Sequence, residues 1–334
     1  MACLKTPAAD PPDAMLGAMA AVTTMSEYEA LTSGCGLLDR SERGKLALRG
    51  PDAKAFLQGQ VSNDVERLSA GEGCYATFLT PKGKMLGDLR VLDAGEELLL
   101  DCERVALQAL FNMIRRFSIG YDVELHKRTL ECALLSLIGP GAATAAAAEA
   151  LPPDEHAHAL LEVGGIPARA IRTDVGIDLL CEAARAAELK AALIAAGALP
   201  VGEQSAEIIR IERGRPRYGI DLDDSVIPQE AGLNERAVSF TKGCYVGQET
   251  VARLYYRGKP NRQLRGLRAS APLASGEELR FGERTVGRVA STAVSPRLGP
   301  IALALVRREA PPGSEVTLVP SGVRATVVEL PFER

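Results

Sequence analysis

The stretch Leu46-Ala-Leu-Arg-Gly-Pro-Asp-Ala53 has the pattern of a short strand that stops at a Gly-Pro turn and continues into a helix. The stretch Leu135-Ser-Leu-Ile-Gly-Pro-Gly-Ala142 repeats this pattern 89 residues later. A helix, three strands and a second helix then follow each copy. The junctions into the second helices, Leu99–Glu103 and Asp178–Glu182, also resemble each other. The repeat therefore predicts a duplicated α+β unit, and chance similarity of short strand–turn–helix signals is the alternative.

Alternating apolar and polar residues predict the strands of both units and of a third region. The expected strands are 74–80, 85–92 and 97–102 in the first unit, and 158–163, 166–173 and 176–181 in the second. After Gly258, short β-like runs separated by turns predict a small antiparallel β-barrel or sandwich, with strands at 262–270, 278–281, 284–294, 301–307 and 315–329. We expect a loose N-terminal segment and three domains, with boundaries at 1–30, 31–130, 131–257 and 258–334. Ligand sites favour the crevice between domains.

The second candidate feature is the octapeptide Lys242-Gly-Cys-Tyr-Val-Gly-Gln-Glu249. It places Cys244 beside Lys242 and just before a predicted helix. An ammonium group and a helix N-terminus both favour the thiolate form of a cysteine. This setting predicts a reactive thiol at Cys244, and a small buried core cysteine is the alternative.

Composition and charge exclude several classes of protein. The 334 residues are 46% hydrophobic, which is enough for a large core, and the net charge of −4 argues against nucleic-acid binding through the charge of the whole protein. Seven widely spaced cysteines without a C-x-x-C motif argue against a disulfide framework and a zinc ribbon. His156 and His158 lie in a segment typical of a surface loop, and we expect no metal site. The sequence shows no membrane-spanning run, so we expect a cytoplasmic protein.

One segment is strongly basic. No acid occurs between Glu249 and Glu277, where the basic residues are Arg253, Arg257, Lys259, Arg262, Arg265 and Arg268. The same segment contains Tyr255 and Tyr256, which are able to stack on a flat ring. The pattern suits an anionic ligand such as phosphate, polyglutamate or nucleic acid, and a solvated linker with a basic face is the alternative.

The octapeptide resembles the signature of the YgfZ family, folate-binding proteins tied to iron–sulfur cluster assembly and repair. That family is a branch of the superfamily that contains the glycine-cleavage T-protein, a folate-dependent aminomethyltransferase. The similarity covers about residues 35 to 330. Further matching segments are Gly50–Gly59, Phe78–Lys84, Asp88–Arg90, Arg210–Glu212, Ile227–Leu233 and Ser295-Pro296.

The resemblance implies an α+β fold, with two repeated lobes forming a T-protein-like core around a central cavity and a C-terminal antiparallel β-barrel. It also implies tetrahydrofolate, or a one-carbon derivative, as the cofactor. By similarity, Asp88 corresponds to the catalytic acid beside the folate amine, and Glu212 to the carboxylate that pairs with the pteridine. We expect Cys244, Lys242 and Asp88 to be the catalytic residues. The expected folate contacts are Asp88, Glu212, Tyr245, Gln248, Glu249, Arg253 and Arg257.

Three functions are compatible with these features. The first is a tetrahydrofolate-binding factor for iron–sulfur cluster assembly or repair, with assembly proteins or client enzymes as partners and Cys244 as nucleophile, iron ligand or redox thiol. The second is a folate-dependent aminomethyl or one-carbon transferase that uses Asp88. The third is an RNA-associated protein. Cys244 and its neighbours replace a Phe-x-Gly-Lys stretch of the T-protein family, which favours the first.

Overall fold

The computed structural model describes residues 25–332 and contains two sheets and a barrel. The first sheet holds the strands of the first repeat in the order β3-β4-β5-β2-β6. These strands are β2 (Gly44–Arg49), β3 (Gly73–Leu79), β4 (Met85–Asp93), β5 (Glu97–Cys102) and β6 (Glu124–Lys127). Helix α2 (Ala53–Gln58) follows β2, and helix α3 (Leu107–Phe117) follows β5 through a 3₁₀ turn. The predicted strands and helices of this unit are all present.

The second sheet repeats that arrangement in the order β11-β1-β7-β10-β9-β8. Its strands are β1 (Gly36–Asp39), β7 (Cys132–Ile138), β8 (His158–Val163), β9 (Ile166–Arg172), β10 (Gly176–Glu182) and β11 (Leu199–Pro200). Strand β7 takes the place that β2 has in the first sheet, so the duplication is confirmed at the level of strand order. We expected residues 36–39 in the first lobe, but β1 pairs antiparallel with β7. This pairing spans about a hundred residues of chain, so no local pattern reveals it.

The C-terminal region is a closed barrel, as predicted, with the strand order β12-β15-β14-β13-β16-β17. Its strands are β12 (Arg262–Ala269), β13 (Glu278–Phe281), β14 (Arg284–Ser295), β15 (Gly299–Arg307), β16 (Glu315–Val319) and β17 (Arg324–Val328). The run 315–329, expected as one strand, is two strands that pair with each other.

Helices connect the lobes and the barrel. They are α4 (Ala142–Ala145), α5 (Ala186–Ala195), α6 (Glu203–Glu212), α7 (Asn234–Ala237) and α8 (Gln248–Arg257). Of the segment 1–30 that we expected to be loose, residues 1–24 lie outside the described residues. Residues 25–33 are helical (α1), because Tyr28 and Leu31 pack in a core cluster with Ile138 and Ile209. No helix within 25–332 is long and apolar enough to cross a bilayer.

The backbone of both Gly-Pro turns requires glycine at the first position of the turn. Gly50 has φ +111° and Gly139 has φ +117°, a region that side-chain-bearing residues rarely adopt. A Cβ at Gly50 would lie 2.3 Å from the Asp122 carbonyl oxygen, and one at Gly139 would lie 2.6 Å from that of Gly34. Each glycine therefore allows a strand end to pack directly on a neighbouring backbone.

We expect Gly139→Ala to destabilise the fold by more than backbone strain alone, because its Cβ would clash with backbone that cannot move aside. Gly165→Ala is the matched control in the same lobe, since Gly165 has φ +79° and open space around it. The control should cost about 1–2 kcal/mol and Gly139→Ala at least about 2 kcal/mol more in urea unfolding. Equal losses would show that the contact with Gly34 is unimportant.

Candidate functional site

A central cavity of about 210 Å³ lies where the two sheets meet α6 and the loop that follows it. Its walls carry eight arginines and seven acids, so the lining is nearly balanced in charge. Asp88 and Arg90 of β4 both line it, because residues two apart on a strand share one face. The cavity therefore suits a polar ligand that carries both donors and acceptors.

Arg90 joins the two lobes at the floor of this cavity. Its side chain is buried and reaches Asp101 of β5 at 2.8 Å and Asp178 of β10 at 2.6 Å. Ser136 of β7 donates a hydrogen bond of 2.6 Å to the other oxygen of Asp178. Burial alone would raise the pKa of Asp101, but Arg43 and Arg90 more than offset it and hold this pKa below its ordinary value. Asp101 is thus an ionised structural partner.

The same charged network continues to α6 and the barrel. Arg217 contacts Glu103 at 3.1 Å and Glu203 at 2.6 Å. Arg210 of α6 contacts the buried Asp221 at 2.7 Å and donates to the Ser291 hydroxyl of β14 at 2.6 Å. Ion pairs and hydrogen bonds therefore hold all three parts of the molecule around the cavity.

Asp88 differs from the other acids of the cavity. Within residues 25–332 it is the only one of the seven lining acids without an ion pair. Burial raises its pKa to about 6, while the nearby Tyr75 hydroxyl acts in the opposite direction. A carboxyl group with this pKa is able to accept or release a proton near neutral pH.

Glu212, the second expected folate carboxylate, is placed differently. It lines an adjoining cavity of about 810 Å³, which shares six wall residues with the central one: Ile138, Thr173, Asp174, Val175, Ile209 and Arg213. Its oxygens already accept hydrogen bonds from the Tyr28 hydroxyl at 3.0 and 3.2 Å, from Ser295 Oγ, and from Arg297 at 3.4 Å. Glu212 therefore links α1, α6 and the barrel, and it lines a cavity that adjoins the one lined by Asp88.

The sequence predicts that the ammonium group of Lys242 lies beside Cys244, but the structure places it elsewhere. Its Nζ donates to the carbonyl oxygens of Gln58, Val61 and Asn63 at 2.6, 2.7 and 2.9 Å. These bonds use all three ammonium hydrogens, so none remains for the thiol. Burial lowers the pKa of Lys242 to about 8, because the apolar surroundings disfavour the charged form. Lys242 is an anchor of the octapeptide loop.

The octapeptide is held on both sides of an exposed Cys244. The Val246 amide donates to the Gly59 carbonyl at 3.2 Å, and the Tyr245 side chain is buried. Gly247 has φ +85°, and a Cβ there would lie 2.6 Å from the Thr80 carbonyl oxygen. Cys244 itself is a free and exposed thiol, so the alternative of a buried core cysteine is wrong.

The remaining residues that we expected to contact folate do not line the cavity that contains Asp88. Neither cavity is lined by Cys244, Lys242, Tyr245, Gln248, Glu249, Arg253 or Arg257. The octapeptide and α8 are held away from both cavities by their own packing. Tyr245 of the octapeptide and Val251 of α8 belong to a separate apolar cluster with Leu79 and Met85. Arg253 and Arg257 are exposed, and Tyr255 stacks on Phe240 with ring centroids 3.7 Å apart.

Sequence reasoning missed several residues of the cavity. His156 and His158 were expected in a surface loop, but they are only 7% and 3% exposed, and His156 lines the central cavity. Tyr75 and Arg90 were also missed, although Arg90 follows Asp88 by two residues on the same strand. The spacing of two residues on a strand could have identified Arg90 as a neighbour of Asp88. No sequence signal could have identified His156, because its burial depends on packing against the other lobe.

The pKa of Asp88 predicts a pH-dependent stability. Because the folded-state pKa lies above the ordinary value of 3.8, ionising Asp88 destabilises the folded protein as the pH rises through about 6. We expect Asp88→Asn to be more stable than the wild type at pH 8, by roughly 3 kcal/mol at most, with little difference below about pH 4. Urea unfolding at several pH values measures this, and a constant difference across the range would contradict the raised pKa.

Comparison with known proteins identifies the family. A model of the GCVT N-terminal domain matches residues 16–242, and one of the glycine cleavage T-protein C-terminal barrel domain matches residues 262–333. The chain is 33% identical to an aminomethyltransferase of Rubrobacter xylanophilus, over 92% of this chain and 86% of the relative. It is 34% identical to an aminomethyltransferase of Geobacillus kaustophilus, over 92% and 90% of the two chains.

The fold agrees with a solved structure as well. The crystal structure of the glycine cleavage system aminomethyltransferase T from Bartonella henselae superposes with a TM-score of 0.83 at 24% identity, covering 93% of this chain and 89% of that one. The matches confirm the superfamily inferred from the sequence, while the narrower YgfZ assignment stays a prediction. With matches over both lobes and the barrel, the chain belongs to the glycine-cleavage T-protein family.

Proposed function

We propose that this protein binds tetrahydrofolate in the central cavity and transfers a one-carbon unit there, with Asp88 as the proton acceptor. The observation that carries the proposal is the buried Asp88, which has no ion pair among residues 25–332, in a cavity where the six other acids are ion-paired. Aminomethyltransferases of this family use tetrahydrofolate as the one-carbon carrier. The named relatives thus favour the transferase alternative over the iron–sulfur interpretation.

The chemistry of the cavity fits this role. An amine of tetrahydrofolate loses a proton when it forms a new bond to carbon, and a nearby ionised carboxylate is able to accept that proton. Ion-paired acids such as Asp101 are poor acceptors, because neighbouring arginines stabilise their ionised form. The arginines of the lining are suited to the carboxylates of the folate. Glu212 accepts hydrogen bonds from three protein side chains and lines the adjoining cavity, and its expected contact with the pteridine stays a prediction.

We expect Asp88→Asn to keep tetrahydrofolate binding within a few fold and to lower turnover with an aminomethyl donor by at least about 100-fold. Wild-type turnover should fall as the pH drops through about 6, because the protonated carboxyl group no longer accepts a proton. Anaerobic calorimetric titration measures binding, and formation of methylene-tetrahydrofolate measures turnover. A wild-type protein that does not bind tetrahydrofolate at millimolar concentration contradicts the proposal.

A second candidate function is supported by the exposed Cys244. A free thiol on a loop anchored by Lys242 and Gly247 is suited to contact another protein in iron–sulfur cluster assembly or repair in the cytoplasm. One cysteine cannot hold a cluster alone, so a partner protein or a small thiol must supply further ligands. In this function the folate cavity and the thiol act at separate places on the molecule.

For this second function, we expect Cys244→Ala to restore less than about a tenth of iron–sulfur enzyme activity in cells that lack the native protein, because the partner loses its thiol ligand. Cys132→Ala is the matched control, since Cys132 is also a free cysteine but half-buried. It should restore activity like the wild type at equal protein level. Full recovery with Cys244→Ala would remove the thiol from the mechanism.

A further inference from the structure

A small pocket at one end of the barrel is rich in arginine, and we call it the barrel arginine pocket. It has a volume of about 190 Å³ and lies where β12 begins and β15 ends. Within the described part of the chain, no acid lines it and it shares no wall residue with the two cavities near Asp88. Its lining residues are Arg262, Arg265, Arg307, Arg308, Pro260, Gln263, Val306, Ala310, Pro311 and Pro312.

Two of the four arginines have no partner of opposite charge. Arg262 and Arg265 each contact a glutamate, at 3.1 and 2.7 Å. Arg307 and Arg308 are exposed, and neither forms an ion pair or a side-chain hydrogen bond within residues 25–332. The pocket therefore carries two positive charges that the described part of the protein does not balance.

The register of the barrel places two of these cations directly opposite each other. Arg262 of β12 pairs with Arg307 of β15 in the antiparallel ladder. Like charges at directly opposite positions of a ladder are destabilising, and a bound anion offsets their repulsion. Glu309 follows Arg308 in the chain but is exposed and does not line the pocket. The end of the barrel is therefore suited to an anion.

The size and charge of the pocket indicate which anion fits. Its 190 Å³ is smaller than the roughly 300–1,000 Å³ of pockets that bury drug-sized ligands, so it suits one anionic group with the rest of the ligand outside. A phosphate group carries about −1.5 to −2 charges at pH 7, which matches two unbalanced guanidinium groups. The planar N–H groups of arginine also fit the oxygens of phosphate.

We propose that the barrel arginine pocket binds the phosphate group of a small phosphorylated ligand, such as a nucleotide or a diphosphate. Arg307 and Arg308 supply the charges that the phosphate balances. Arg262 and Arg265 have further N–H donors on the wall beyond those that their glutamates use. The inference does not rest on the proposed function, because the pocket and the cavities near Asp88 have separate walls.

The test is a calorimetric titration of the full chain with sodium pyrophosphate and with adenosine monophosphate, in phosphate-free buffer at roughly 50 mM chloride, where screening is modest. We expect a Kd on the order of 0.1 mM for the wild type, because charge-assisted hydrogen bonds to arginine are strong. The double variant Arg307→Gln/Arg308→Gln should bind both probes at least about tenfold more weakly. Because both side chains are exposed, we expect this variant to fold like the wild type.

The matched control is Arg284→Gln/Arg288→Gln, which removes the same charge from exposed positions of β14 in the same barrel. Neither residue lines the pocket, so the control should bind both probes within about twofold of the wild type. An equal loss in the two double variants would reveal general charge attraction and overturn the inference. Failure of the wild type to bind either probe at millimolar concentration would also overturn it.

Two further titrations distinguish phosphate on a small ligand from other anions. A γ-linked triglutamate presents carboxylates, and a single-stranded RNA of about ten nucleotides presents a phosphate backbone. If either binds more than about tenfold tighter than pyrophosphate, and loses that affinity in Arg307→Gln/Arg308→Gln, the small-phosphate assignment is wrong. Tetrahydrofolate binding should be the same in this variant and the wild type, so the phosphate titrations leave the proposed function untouched.

Discussion

Arg90 lies between two carboxylates that belong to different sheets, and the central cavity depends on this contact. Its guanidinium binds Asp101 of the first lobe and Asp178 of the second with almost no exposure to solvent. Removing one partner from such a buried arrangement leaves an uncompensated charge, which typically costs about 3–5 kcal/mol. The lobes are therefore held at one relative position, and the walls of the cavity follow from it.

The same requirement explains which acid is available for chemistry. Burying many charges is tolerable only when each has a partner, and six of the seven lining acids have one within residues 25–332. Asp88 is the exception, and its pKa is raised to about 6 because burial is not offset by a cation in contact. The ion pairs keep their groups ionised and fixed in place, while the unpaired group titrates near neutral pH.

The structure also separates Asp88 from Cys244, two residues that the sequence predicts to act in the same catalytic site. Asp88 lies inside the molecule, whereas Cys244 is exposed on a loop that Lys242 and Gly247 hold against the first lobe. Lys242 shows that residues close in sequence need not have side chains in contact. It is two residues from Cys244, yet its ammonium group is used up by three backbone carbonyls from residues 58–63.

Local patterns alone were sufficient for most of the fold. The repeated Gly-Pro turns, the alternation of the strands and most strands of the barrel depend on neighbouring residues, and the duplication appears directly in the order of elements. The T-protein family and the candidacy of Asp88 also came from the sequence, through motifs that agree in order along the chain. The exposed position of Cys244 and the burial of Glu212 were not accessible in this way.

What only the tertiary structure decided concerns contacts between distant parts of the chain. The pairing of β1 with β7, the three donors on Glu212, and the placement of His156 beside Tyr75 and Arg236 all join segments far apart in sequence. A side chain's local pattern determines which face of a strand or helix it occupies. Whether that face meets water, an ion partner or a cavity depends on which other segment packs against it, and this sets the pKa of the side chain and the hydrogen bonds that it forms.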